Sequence, residues 1–405
     1  MHHEHSTRTR TAALAMTLAL GTGLGPVLAS PQAQAAPAPT TTRASSPAQA
    51  DATSTRSQQA LRKARSAAVK AGVEKKVRAF LSEHDVPLPE RPLLAADGEA
   101  CQRETEVTRY VEGQAAGMTL LDQVFLTVTA ADMLPLLEAV QAQDPRANNV
   151  DVTGKGNQLR TSFAGLQHFW DIDGSSIQLK GMTGQMLADP GRVQAVYEGL
   201  GIPAGLASVL GQAVATYTQL SPGLDHGRNP LLTFNAVAIP GSSEAGTGDR
   251  IVMGEGMLRA YDALGHGEIA PQVVLAHEYG HQVQFATGMI TPEDQQAPTA
   301  QKTRYTELHA DASAAYFVAH PRGGKESKAA LSEVDDVLLG IGDCQVDSAG
   351  HHGTPAQRGR AGTWGMAQAA AKPSKVMPAA DFRAAYDKAL PTLLGSAKKP
   401  QLDRR

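Results

Sequence analysis

His277 and His281 stand four residues apart in an apolar segment that Pro271 opens and Val273, Val274 and Leu275 continue. On a helix, positions i and i+4 stack on one face, so both imidazoles can meet one tetrahedral ion. That requirement predicts a helix over 271–286. Glu278 lies about 100° round the helix from His277, too far offset to chelate comfortably but able to reach a water on the ion. The pattern HEYGH therefore divides the labour. The histidines hold zinc, which lowers the pKa of a water from near 16 toward roughly 7, and Glu278 takes its proton as hydroxide attacks a carbonyl. The same carboxyl can then protonate a leaving amine.

Two imidazoles leave a zinc ion short of ligands. Three and six residues after His281 stand Gln284 and Thr287, so the compact H-E-x-x-H-x-x-G-x-x-H arrangement is absent. Further on, Glu307 and Asp311 share a helix face by their i,i+4 spacing, whereas His309 lies about 200° from Glu307. Glu307 in this phase closes a His, His, Glu site. Asp311 can then accept a hydrogen bond from His277, fixing its tautomer and raising its basicity.

The chain has 405 residues, 42% hydrophobic and 19% charged, which suits a folded protein of two domains, or one large domain with appendages. Lys plus Arg number 37 against 40 Asp plus Glu, a net charge of −3 that argues against nucleic acid as a partner. Aromatic residues make up only 4%, beside 39 Gly and 24 Pro, and the expected class is α+β with helix dominant.

Residues 1–35 have a polar start with Arg8 and Arg10, an apolar middle and an Ala33-Gln34-Ala35 end, the layout of a secretory signal. The expected product is secreted and extracellular, without stable membrane insertion, because no apolar run is long enough to span a bilayer. Residues 36–56 read as a disordered Ala/Pro/Thr-rich leader and 57–98 as a basic amphipathic helix with a linker, or a pro-segment; residues 57–84 can associate with an acidic cell wall. Residues 99–220 read as the N-terminal part of the catalytic unit or an accessory domain, and 221–405 as the metallopeptidase region. Within these, 104–128 reads as two strands ahead of a helix opened by Thr129. Asp189 and Pro190 start a helix and another covers 203–220. Strands follow at 231–240 and 250–253, then helices at 271–286, 301–319, 325–341 and 378–394. Cys101 and Cys344 are expected to form a disulfide, which closes a loop of about 240 residues and stabilises by roughly 5 kcal/mol in the chain-entropy model.

HEYGHQVQF at 277–285, ELHAD at 307–311 and HGTPAQR at 352–358 resemble, in that order, the bacterial neutral zinc metallopeptidases of the YpfJ-type group, within the gluzincin class. The resemblance covers roughly residues 225–372. It implies a zincin-like architecture with a small sheet beside the active-site helix, zinc ligation by His277, His281 and Glu307, and catalysis by Glu278. The chain departs from the family pattern at Ala312, where a cysteine usually follows the ELxAD run. His352 occupies the HG position of the last motif and is the candidate for stabilising an oxyanion, with Tyr305 or a guanidinium as alternatives. Asp335, Asp336, Asp343 and Asp347 fit no EF-hand spacing and read as a solvated acidic surface. The combined expectation is a secreted peptidase using one zinc ion per chain on peptide or protein substrates. The competing readings are a noncatalytic zinc-containing binding or cell-surface protein and a zinc amidase acting on cell-wall peptides.

Overall fold

A computed structural model describes residues 101, 104–128, 150, 153–199, 201–241, 248–291, 294, 298–344, 346 and 350–395. The expected signal, leader and basic helix lie outside these residues, as does the helix expected from Thr129. The described residues divide into two units, one holding Thr119–Phe125 and the other the remainder. In the first, the Thr119 backbone N–H and hydroxyl both donate to Asp122 Oδ2 at 2.8 Å, capping a helix start.

In chain order the elements are α1 (Glu106–Ala116), α2 (Leu120–Val128), α3 (Gly156–Phe169), β1 (Gln178–Met182), α4 (Pro190–Gly199), α5 (Ala204–Leu220), β2 (Ala236–Ile239), β3 (Arg250–Gly254), α6 (Glu255–Ala263), α7 (Ala270–Ala286), α8 (Ala300–Ala319), α9 (Lys328–Gly340), α10 (Pro355–Ala371) and α11 (Ala379–Leu393). The fold is α+β and helix-dominant, with a three-stranded sheet in the order β1-β3-β2. β1 runs parallel to β3, with Leu179 opposite Ile251, and β2 runs antiparallel to it, with Val237 opposite Val252. No helix among the described residues is long and apolar enough to cross a membrane.

The segment 104–128 is helical, not two strands. Thr105 and Thr108 form a reciprocal cap at the start of α1, and Thr105 Oγ1 also donates to Gly340 O at 2.9 Å. Once that turn is nucleated, Val107 and Val111 fall on one face toward the core, so tertiary burial overrides the strand preference of valine. The strand expected over 231–240 shortens to Ala236–Ile239. Asn229 Oδ1 accepts from Leu231 N at 2.9 Å and Pro230 restricts φ, which folds Pro230–Thr233 into a 3₁₀ turn. β1, α3, α6 and α10 were not anticipated by the sequence patterns.

α7 is the centre of the second unit, packed against α3, α8, β2 and β3, and α10 packs on α8. α7 is buried round almost its whole circumference, and Gln282 and Gln284 find hydrogen-bond partners inside the fold. Gln282 Nε2, for example, donates to Arg250 O at 2.9 Å and ties the helix to the sheet. Small residues let the helices close. A Cβ at Gly280 would lie 3.1 Å from Ala310 Cα, and one at Gly365 would collide with the Ala312 carbonyl oxygen. Ala312 is itself fully buried at this α8–α10 crossing. Cys101 and Cys344 sit in disulfide geometry, their Cα atoms 5.9 Å apart, joining the chain ahead of α1 to the segment after α9.

Two glycine substitutions separate close approach from helix propensity. Gly365→Ala should destabilise by about 1–3 kcal/mol, because the obstructing atom is backbone. At Gly113 on α1 an added Cβ meets nothing within 4 Å, and Gly113→Ala should stabilise by about 0.5–1 kcal/mol. Thermal unfolding of the two variants checks both signs.

Candidate metal centre

His277 and His281 project from one face of α7 toward Glu307 on α8, and one ligand atom from each lies within 4.8 Å of the others. The two Nε2 atoms are 3.2 Å apart, His277 Nε2 is 3.3 Å from Glu307 Oε2, and His281 Nε2 is 3.4 Å from Glu307 Oε1. A tetrahedron built on metal–ligand bonds of roughly 2.05 Å has edges of about 3.3 Å. The three separations match those edges, so the group can hold a small divalent ion.

The other ring nitrogens explain why the Nε2 atoms face inward. His277 Nδ1 is 2.9 Å from Asp311 Oδ1, and His281 Nδ1 is 2.9 Å from Gln284 Oε1, so each Nδ1 donates to an oxygen. The two Nε2 atoms then converge on each other and on a carboxylate, an arrangement that a bound cation or a ring proton satisfies. The electrostatics reflect it. Burial opposes charge on His277, but the hydrogen bonds to Asp311 and Glu307 outweigh it and hold its pKa up at about 10. Burial would raise the Glu307 pKa, yet His281 and His277, with His352 beyond, keep it well below the usual carboxylate range.

Behind the two imidazoles the supports differ. Asp311, fully buried, also takes Arg358 Nε on Oδ2 at 2.8 Å and Arg358 Nη2 on Oδ1 at 2.6 Å. Gln284, also fully buried, donates through Nε2 to Thr306 O at 2.7 Å and lies 3.1 Å from His309 Nδ1. His309 is buried against Phe382 and Tyr386, outside the ligand group. Burial, with the fields of His281 and Arg383, pushes its pKa down to about 3 and keeps it neutral.

Glu278 is 7% exposed beside this cluster. Burial raises its pKa, against the fields of His277 and His281. His352 has a half-exposed side chain 3.5 Å from Asp343 Oδ2, and its backbone N–H donates to the same oxygen at 2.8 Å. The Asp343 contact raises its pKa, burial works against that, and the field of Glu307 adds to the rise. His351 is fully buried, with Nδ1 2.6 Å from Asp343 Oδ1. Tyr305 is turned elsewhere, its hydroxyl donating to Asp387 Oδ1 at 2.7 Å. The Arg358 guanidinium is likewise committed, to Asp311 and not to an oxyanion position. Of the other acidic residues, Asp335 pairs with Thr363 at 3.1 Å, and Asp347 lies outside the described residues.

Sequence reasoning passed over Gln284 as a support, considering it only as a third ligand. Its signal was a glutamine three residues after His281, on the same helix face. Arg358 could be found from Thr354 and Gln357, a capping pair that starts α10 and sets the next residue on its first turn. In comparisons with known proteins the chain matches no family model, no curated protein and no solved structure.

The two sides of α8 give the site a direct test. Glu307→Ala should release a divalent metal at concentrations where the wild type holds it, and Gln284→Leu should weaken binding by about 10–100-fold. His309→Ala should stay within about tenfold of wild type, since it reaches His281 only through Gln284. Equilibrium competition against a chelator on the folded variants measures all three, and metal loss in His309→Ala with retention in Glu307→Ala would reverse the ligand assignment.

Proposed function

We propose that this protein is a secreted zinc-dependent peptidase of the gluzincin type, with a zincin-like catalytic region and peptides or proteins as substrates. The observation that carries the reading is the trio of His277, His281 and Glu307 donors at tetrahedral edge distances, with the carboxyl of Glu278 buried beside them. Two imidazole nitrogens and one carboxylate oxygen suit zinc, and a three-residue protein set leaves a position for catalysis. The order of HEYGH, ELHAD and HGTPAQR along the chain supports the same class. The signal-like start and the paired cysteines support export.

Zinc, when bound, supplies Lewis acidity that lowers a water's pKa and polarises a scissile carbonyl. The chain's own groups do the rest. Asp311 and Gln284 hold each Nδ1–H, so each Nε2 keeps its lone pair directed at the site. Glu278 accepts the attacking water's proton and returns it to the leaving amine. A carboxyl whose pKa burial raises is better matched to that exchange near neutral pH than an exposed one. His352, whose cationic form Asp343 favours, donates to the negative charge that develops on the carbonyl oxygen.

Two variants divide these roles. Glu278→Gln should retain about one zinc per chain and lose hydrolysis, because the amide keeps the shape but accepts no proton. His352→Ala should also retain zinc while kcat falls about 100-fold, with KM much less affected. Metal content measured alongside cleavage of a broad peptide library reads both. Wild type and Glu278→Gln equally inactive on every peptide, with one zinc in each, would favour a noncatalytic binding protein.

A further inference from the structure

Among the described residues Arg358 is the largest fully buried side chain, at 2% exposure, and its guanidinium engages Asp311, which is 0% exposed. Resting on the metal-site reading above, we propose that Arg358 is a positioning residue for the ligand His277, acting through Asp311. A carboxylate that terminates in a broad sp² torsion can present either oxygen over a range of angles. Here Nε and Nη2 of one planar fork engage both oxygens, which fixes the carboxylate plane and leaves Oδ1 facing His277 Nδ1.

The fork itself is held. Nη1 donates to Ile341 O at 3.3 Å, and the Arg358 backbone N–H closes the first turn of α10 onto Thr354 O at 3.0 Å. That turn is set by Pro355 and by the reciprocal bonds of Thr354 and Gln357. Gly353 precedes it at φ 105°, where a Cβ would sit 3.0 Å from Leu308 Cδ2 and 3.5 Å from Arg358 Cγ. Each residue of Gly353-Thr354-Pro355-Ala356-Gln357 up to Arg358, save Ala356, thus has a part in aiming one guanidinium at the carboxylate behind a metal ligand. The pair also links α8 and α10 to α7, so ligand orientation depends on three helices and not on α7 alone.

A guanidinium that merely neutralised a buried carboxylate would be replaceable by any cation, whereas a positioning role needs the fork. The test uses the full chain as Arg358→Lys, Arg358→Met, Asp311→Asn and the double variant Asp311→Asn/Arg358→Met. Zinc affinity is read by competition with a chelator, ligand geometry by the visible absorption of bound Co²⁺, and stability by thermal unfolding in excess chelator. Arg358→Lys should bind zinc about tenfold more weakly and shift the cobalt bands. The double variant should match Asp311→Asn alone to within about twofold, since Arg358 acts only through that carboxylate. Arg358→Lys with wild-type zinc affinity and cobalt spectrum, or losses that multiply in the double variant, would overturn the proposal. Should Arg358→Met fail to fold, the lysine and double variants decide the question. A wild type that binds no zinc overturns both this inference and the metal reading. A wild type that binds zinc but cleaves no peptide fails the peptidase reading alone.

Discussion

The carboxylate of Asp311 is the junction on which the site depends. It is buried on α8, accepts from His277 on α7 and is clasped by Arg358 on α10. A buried carboxylate without a partner is expensive, so the fold can place one there only by delivering the guanidinium as well. The same pairing that makes the charge tolerable therefore brings three helices to one point. The close crossings at Gly280 and Gly365 serve this arrangement, because bulkier residues would hold α7 and α10 away from α8.

The two imidazoles are oriented by different chemistry. His277 leans on a carboxylate backed by a cation, and its site is charge-balanced. His281 leans on the neutral amide of Gln284, whose own orientation comes from Thr306 O and His309 Nδ1. His309 is thus neither a ligand nor incidental. Its burial keeps it neutral, and a neutral Nδ1 can accept from the amide, which leaves Gln284 Oε1 for His281. In the proposed reaction this leaves Glu278 as the carboxyl free to exchange a proton beside the ligands.

Helix periodicity carried much of the site. The spacing of His277 and His281, and the opposed phases of Glu307 and His309 on one helix, follow from 3.6 residues per turn and need no tertiary knowledge. The same reasoning failed where the neighbours decide. Val107 reads as a strand residue until the Thr105–Thr108 cap and the core place it on α1. The residues after Leu231 read as one strand until Asn229 and Pro230 turn the first of them into a 3₁₀ segment. Tyr305 stood as a candidate near the metal, and its hydroxyl is taken by Asp387 from α11, a partner 82 positions away.

What the sequence determined by itself is the local geometry: which side chains share a helix face, and that the chain is α+β with helix dominant. Only the tertiary structure decided which helices meet. That Glu307 lies 3.3 Å from His277 and 3.4 Å from His281, that Arg358 reaches Asp311 across 47 residues, and that Cys101 meets Cys344 are distances between segments remote in sequence. Periodicity sets the direction of a side chain about its own helix axis. The separation between two axes comes from packing, and here it is set by the glycines and alanines that let α7, α8 and α10 approach.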